Sequence, residues 1–116
     1  MFNLFQQLEE YFNRKRTEFD LPLEINGTDF QKKVWSELEK IIYGKTITYQ
    51  ELATRLGDVR SIRAAGRANG ANTLPIVIPC HRVIGTNGKL IGYGGGLDVK
   101  RKLLELEGSL NPDLFT

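Results

Sequence analysis

Residues 48–70, TYQELATRLGDVRSIRAAGRANG, hold two short helical patterns on either side of one glycine. Thr48, with Glu51 three residues on, has the spacing of a capping box and opens a helix carrying Leu52, Ala53 and Leu56. Gly57 stops it in the left-handed conformation that glycine tolerates. After the turn GDVR, Asp58 or Ser61 can cap a further helix over about residues 60–69, its small alanines facing inward while Arg60, Arg63 and Arg67 project. Short helix, glycine turn and arginine-bearing helix make a helix-turn-helix pattern. Taken alone it leaves two readings open, because helical bundles that never meet DNA contain the same pair.

On the N-terminal side, Leu4, Phe5, Leu8, Tyr11 and Phe12 recur at helical spacing and predict an amphipathic helix over 2–14, ending in Arg14-Lys15-Arg16. FDLPLEING, residues 19–27, reads as an extended connector. Thr28 and Gln31 form a second capping box, followed by Phe30, Val34, Trp35, Leu38, Ile41 and Ile42 on a helix ending near Gly44. On the C-terminal side, Pro75-Ile76-Val77-Ile78-Pro79 predicts a brief buried strand. Val83-Ile84 and Leu90-Ile91 flank GTNGK, where Asn87-Gly88 favours a hairpin that would form a wing. GYGGGLDVK, residues 92–100, leads into a last helix from Leu97 to Glu107, stopped by Gly108. The expected fold is mainly α with a small β element, a winged helix-turn-helix-like domain. Its parts are an N-terminal helix and connector (1–20), the winged-helix unit (21–108) and a flexible tail (109–116).

The 116 residues leave room for one compact domain, and 41% hydrophobic with 26% charged residues fit a soluble globular chain. No apolar run approaches the roughly 18 residues of a membrane span, and the N-terminus mixes acids and bases too early for a secretory signal. The expected setting is intracellular: cytoplasmic and nucleoid-associated in a bacterium, nuclear in a eukaryote. One cysteine cannot form an internal disulfide, and a lone Cys/His pair lacks the ligands of a structural zinc site. The net charge of +2 hides an uneven distribution: residues 45–102 hold ten Lys/Arg against three Asp/Glu. A basic middle suits a polyanion, though a solvated basic face without a partner is as common.

IVIPCHRVIG, residues 76–85, carries the single cysteine and the single histidine side by side. A cysteine after an apolar run is ordinarily a small buried hydrophobe. Here the preceding proline turns the chain, and flanking glycine loops let a flat ligand approach the backbone. On an extended segment His81 would point away from Cys80, so contact needs a turn or a bridging water. A histidine so placed takes the thiol proton and raises the thiolate fraction, the species that attacks carbon.

Through GTDFQKKVW, YGKTITYQELA, RAAGRANGAN, IPCHRVIG, GYGGGLDVK and LLELEG, the chain resembles the DNA-binding, active-site domain of the 6-O-alkylguanine-DNA alkyltransferases, nearly continuously over about residues 21–108. The resemblance implies suicide repair of double-stranded DNA: the thiolate of Cys80 takes the alkyl group from guanine and keeps it. It further implies that Glu107 orients His81, which reaches Cys80 through a water. Tyr49 helps turn the nucleotide out and hydrogen-bonds the base. Arg63 fills the gap in the stack from a helix lying in the minor groove, where Ala64, Ala65, Gly66 and Ala68 fit close approach. Asn72 ties the turn before the active-site segment. Tyr93, Gly94 and Gly95 close over the flipped base, with Val83 on the pocket wall.

By the same resemblance the chain is a single-domain form without the N-terminal α/β domain of most relatives, a monomer, and in need of no cofactor or metal. Three other functions compete. A non-catalytic damage sensor of the alkyltransferase-like kind would hold tryptophan in place of Cys80; a winged-helix regulator would leave Cys80 incidental. A cysteine hydrolase would need a sequence-distant base and an oxyanion hole, and nothing marks either.

Overall fold

The computed structural model describes residues 3–88, 90, 93 and 96–109. Among the described residues five α-helices run in the order α1 (Leu4–Phe12), α2 (Asp29–Glu39), α3 (Tyr49–Arg55), α4 (Ile62–Gly70) and α5 (Leu97–Leu106). Two strands of two residues each among the described residues, β1 (Ile47–Thr48) and β2 (Val83–Ile84), lie before α3 and before α5. Among the described residues no helix is long and apolar enough to cross a membrane.

Both capping boxes form. The Gln31 and Glu51 amides each donate to the threonine hydroxyl three residues back at 3.0 Å, and the Thr28 and Thr48 amides donate to the Gln31 and Glu51 side chains at 3.0 and 3.3 Å. These bonds satisfy amide groups that the first turn of a helix leaves without partners. Thr48→Ala should therefore cost about 1 kcal/mol, seen as a lower urea midpoint at unchanged slope. Gly57 takes φ +90° beyond α3, as the glycine stop requires. The chain then enters a 3-10 turn at Val59–Ser61 and continues into α4.

α4 packs on both α2 and α3. Ala65 and Ala68 are buried beneath it while Arg60, Arg63 and Arg67 are exposed, as the helix-turn-helix pattern predicts. Trp35 of α2 fixes the crossing: its ring is 4% exposed and Nε1 donates to the Ala68 carbonyl at 2.9 Å. Val34, Leu38, Leu52, Ile78 and Val83 fill the core behind these contacts.

Two local expectations are corrected. Val83-Ile84 is a strand, but among the described residues it pairs in parallel with Ile47-Thr48 (Ile47 with Val83, Thr48 with Ile84) and not with a hairpin partner. Thr86–Gly88 winds into a 3-10 turn, and Ile91, on the other arm of the expected wing, lies outside the described residues. Residues 75–79 are not a strand: they make a turn closed by a bridge between Pro75 and Ile78, with Ile76 at φ +74°. Two prolines without amide hydrogens cannot sustain a ladder, and they outweigh the β-branched composition. Of the expected tail, only Ser109 is described.

Candidate active site

Cys80 begins a single 3-10 turn, Cys80–Arg82, held by the Arg82 amide on the Pro79 carbonyl at 3.0 Å and the Cys80 amide on the Ile78 carbonyl at 2.8 Å. In such a turn successive side chains step by about a third of a revolution, so the opposed orientation of an extended segment does not apply. Asn69, on α4, donates from Nδ2 to the Cys80 carbonyl at 3.2 Å. Asn72 donates to the Ile78 carbonyl at 2.8 Å and accepts from the Leu74 amide at 2.9 Å, so it does tie the turn before the cysteine.

Glu107, one residue beyond α5, is the hub. Its Oε2 accepts from His81 Nε2 at 2.7 Å, Tyr11 Oη at 2.6 Å and Arg82 Nη2 at 2.9 Å; Oε1 accepts from Arg82 Nε at 2.8 Å. Arg82 spends a third nitrogen, Nη1, on the Ile41 carbonyl at 2.6 Å. The side chains of His81 and Glu107 are fully buried. Burial works to raise the Glu107 pKa, but the bonds from His81, Arg82 and Tyr11 outweigh it and hold the group at about 2, an anion at neutral pH. Burial pulls His81 below its ordinary value despite the attraction of Glu107, so the ring is neutral. An anionic carboxylate only accepts, so the single ring proton sits on Nε2. Nδ1 is left as the basic nitrogen, buried and without a protein partner.

Burial also raises the Cys80 thiol, against the opposing pull of the Asn72 side chain, the Cys80 backbone, the Lys100 charge and the Tyr93 hydroxyl. A thiol so placed is protonated at neutral pH and needs a base to become a nucleophile. Lys100 is fully buried; its Nζ donates to the Val83 carbonyl at 2.6 Å and stands 5.6 Å from the centre of the Tyr49 ring. Burial lowers its pKa to about 8, against the attraction of Cys80. Burial raises Tyr49, and raises Tyr93 to about 12.

A groove of about 610 Å³ runs between α3, α4 and the end of β2, lined by Tyr49, Ile62, Arg63, Gly66, Arg67 and Thr86 among others. Tyr49 and Arg63 therefore share one surface. A Cβ at Gly66 would only touch the Tyr49 ring at 3.9 Å, so glycine here serves an open groove rather than relieving a clash. Ala64 is half-buried beside it. Cys80 is not on the groove wall; it is 5% exposed and belongs to the core, with Tyr49 and Tyr93 packed against that core. Val83 is fully buried in β2, so its side chain serves the core and its carbonyl holds Lys100. Gly94 and Gly95 lie outside the described residues. Among those described, no three His, Cys, Asp or Glu side chains gather as a metal-binding set.

Four contributors escaped the sequence: Tyr11, Asn69, Arg82 and Lys100. Arg82 and Lys100 were counted with the basic middle, yet both are buried. A signal for Lys100 existed, since Lys100, Leu103, Leu104 and Glu107 recur at helical spacing and put two charges on the apolar stripe of α5.

Residues 29–109 match the model of the 6-O-methylguanine DNA methyltransferase DNA binding domain, and residues 2–25 match that of the ribonuclease-like domain of the same enzymes. The chain is 54% identical over 106 residues to the methylated-DNA–protein-cysteine methyltransferase of Mycobacterium tuberculosis, covering 91% of this chain and 64% of that one. It is 56% identical over 102 residues to the Methanosarcina barkeri protein of the same name, covering 88% and 65%. The chain thus spans a little under two thirds of the length of these curated relatives. A crystal structure of the Mycobacterium tuberculosis OGT in complex with DNA superposes with a TM-score of 0.88 at 52% identity, covering 95% of this chain and 69% of that one. With the matched DNA-binding region spanning most of its residues, this chain belongs to the 6-O-methylguanine DNA methyltransferase family.

Proposed function

We propose that this chain repairs DNA by moving the alkyl group of 6-O-alkylguanine onto Cys80, restoring guanine and spending itself in one turnover. The observation that carries this reading is the buried His81–Glu107 pair adjoining Cys80 in sequence, in which an anionic carboxylate keeps the imidazole proton on Nε2 and leaves Nδ1 free to receive another. His81 Nδ1 takes the thiol proton through a water. The Cys80 sulfur then forms a bond to the alkyl carbon as the carbon–oxygen bond breaks, its electron pair passing to the guanine oxygen. The buried Lys100 charge favours the thiolate, and Tyr49 neutralises the departing guanine. The thioether left behind has no route back to thiol, so no cofactor is consumed.

A guanine stacked in duplex offers no line of attack to a buried thiol, so the base must be extruded. Arg63, exposed on α4 beside Tyr49 in the groove, fills the space it leaves. The small residues Ala64 and Gly66 suit approach to the minor groove, whereas Ala65 and Ala68, expected beside them, are buried in the core. Tyr93 with Gly94 and Gly95 closes over the base. The unit acts as a monomer, residues 21–108 carrying the chemistry.

Intact-protein mass spectrometry after mixing with a duplex bearing 6-O-methylguanine tests the proposal: the Cys80 peptide should gain one methylene. Tight binding with unchanged mass would make the chain a damage sensor instead. Arg63→Ala should slow transfer from duplex about tenfold or more, the equivalent of at least ~1.4 kcal/mol, while leaving reaction with free alkylated base near wild type. Equal slowing on both substrates rules out the gap-filling role.

A further inference from the structure

We infer that Tyr11 is a positioning residue of the relay: its hydroxyl caps the same Glu107 oxygen that holds the His81 ring, and so sets the strength and direction of that hold. The inference rests on the proposed transfer reaction and adds a residue from α1, outside the span matched by the DNA binding domain model. Tyr11 is fully buried and donates to Glu107 Oε2 at 2.6 Å across 96 residues of sequence. Its ring is clamped by Phe12 at 5.3 Å, Phe19 at 5.6 Å and Tyr43 at 6.2 Å between centroids, so the hydroxyl has one direction to point. A tyrosine needed only for packing would be served by phenylalanine, and a buried hydroxyl brought against an anion is a directed contact.

The consequence for His81 follows from charge. Oε2 has three donors, and each draws electron density from the oxygen that faces the imidazole. Remove the Tyr11 hydroxyl and the carboxylate becomes a stronger acceptor. That stabilises the doubly protonated ring more than the neutral one, because only the former is a cation. His81 would then become available as a base only at higher pH. The groups facing this centre are Tyr11 from α1, Tyr43 beyond α2, Cys80 and Arg82 from the turn, Tyr93, and Lys100 from α5. Arg82 and Lys100 oppose a charged ring, and Glu107 favours it. The Tyr11 bond trims that favourable influence.

His81 is the single histidine of the chain, so its ring titration can be followed by nitrogen-15 NMR without assignment. In Tyr11→Phe the ring should titrate about half to one pH unit higher than in wild type, and the acid limb of Cys80 methylation should move with it, leaving transfer about three- to tenfold slower on that limb. Replacing Tyr11 by 3,5-difluorotyrosine, whose hydroxyl is a stronger donor, should move both in the opposite direction and keeps the test open if the phenylalanine variant folds poorly. A variant that melts earlier while both midpoints stay in place would make Tyr11 a packing residue only and overturn the inference. The NMR titration needs no reaction. A wild type that never methylates therefore overturns the transfer reading, while an unmoved titration overturns this one.

Discussion

Glu107→Ala should abolish measurable transfer and destabilise the fold by about 3–5 kcal/mol, the cost of leaving a buried charge without its partner. Arg82 is 6% exposed, and with Glu107 gone it would keep only the Ile41 carbonyl, while Nε and Nη2, the His81 Nε2 proton and the Tyr11 hydroxyl would face no acceptor. Domains of this size are stable by roughly 5–15 kcal/mol in all, so a sizeable fraction of the variant should be unfolded at growth temperature. Urea denaturation reads the loss of stability, and mass spectrometry under folding conditions reads the loss of transfer. A variant as stable as wild type would show that the carboxylate does not hold this corner together. The same pair gives the acid behaviour its sign. The Glu107 pKa falls from near 4.5 to about 2 on folding, so its contribution is complete above pH 4.5 and disappears as the pH drops through the folded value. Glu107→Gln should flatten stability between those limits.

Methylation of Cys80 should weaken the protein that accepts it, by about 1–3 kcal/mol. The thiol is 5% exposed and packed in the core with Leu52, Ala68, Ile78 and Val83, so an added methyl group has to displace neighbours. For a domain this small a loss of that size lowers the melting temperature by several degrees or more. Melting the protein before and after stoichiometric reaction with a methylated duplex reads the change. Equal melting temperatures would mean that the methyl group enters an open space rather than the core.

The helices could be read ahead of the structure because their signals are local. Thr28 and Thr48 announce α2 and α3 through residues three positions away, and Gly57 and Gly108 stop helices with positive φ. The β element could not be read this way. A ladder of two residues leaves no alternation to detect, and its partners, Ile47 and Val83, lie far apart in the chain, whereas Asn87-Gly88 advertised a hairpin from inside one loop. The site divides similarly. Cys80 and His81 are marked by their setting, but the role of Glu107 came through resemblance to a family. Tyr11 and Arg82 gave no warning: one fits an amphipathic helix and the other a basic surface, and only tertiary contact makes them donors to Glu107.

The link from Tyr11 to Glu107 also bears on synthesis. A ribosome delivers Cys80 and His81 well before α5, and until residue 107 has cleared the exit tunnel the imidazole has no carboxylate to fix its tautomer. A nascent chain therefore carries its sulfur unarmed, and on the proposed single-turnover reaction it is not spent on stray electrophiles before it is whole.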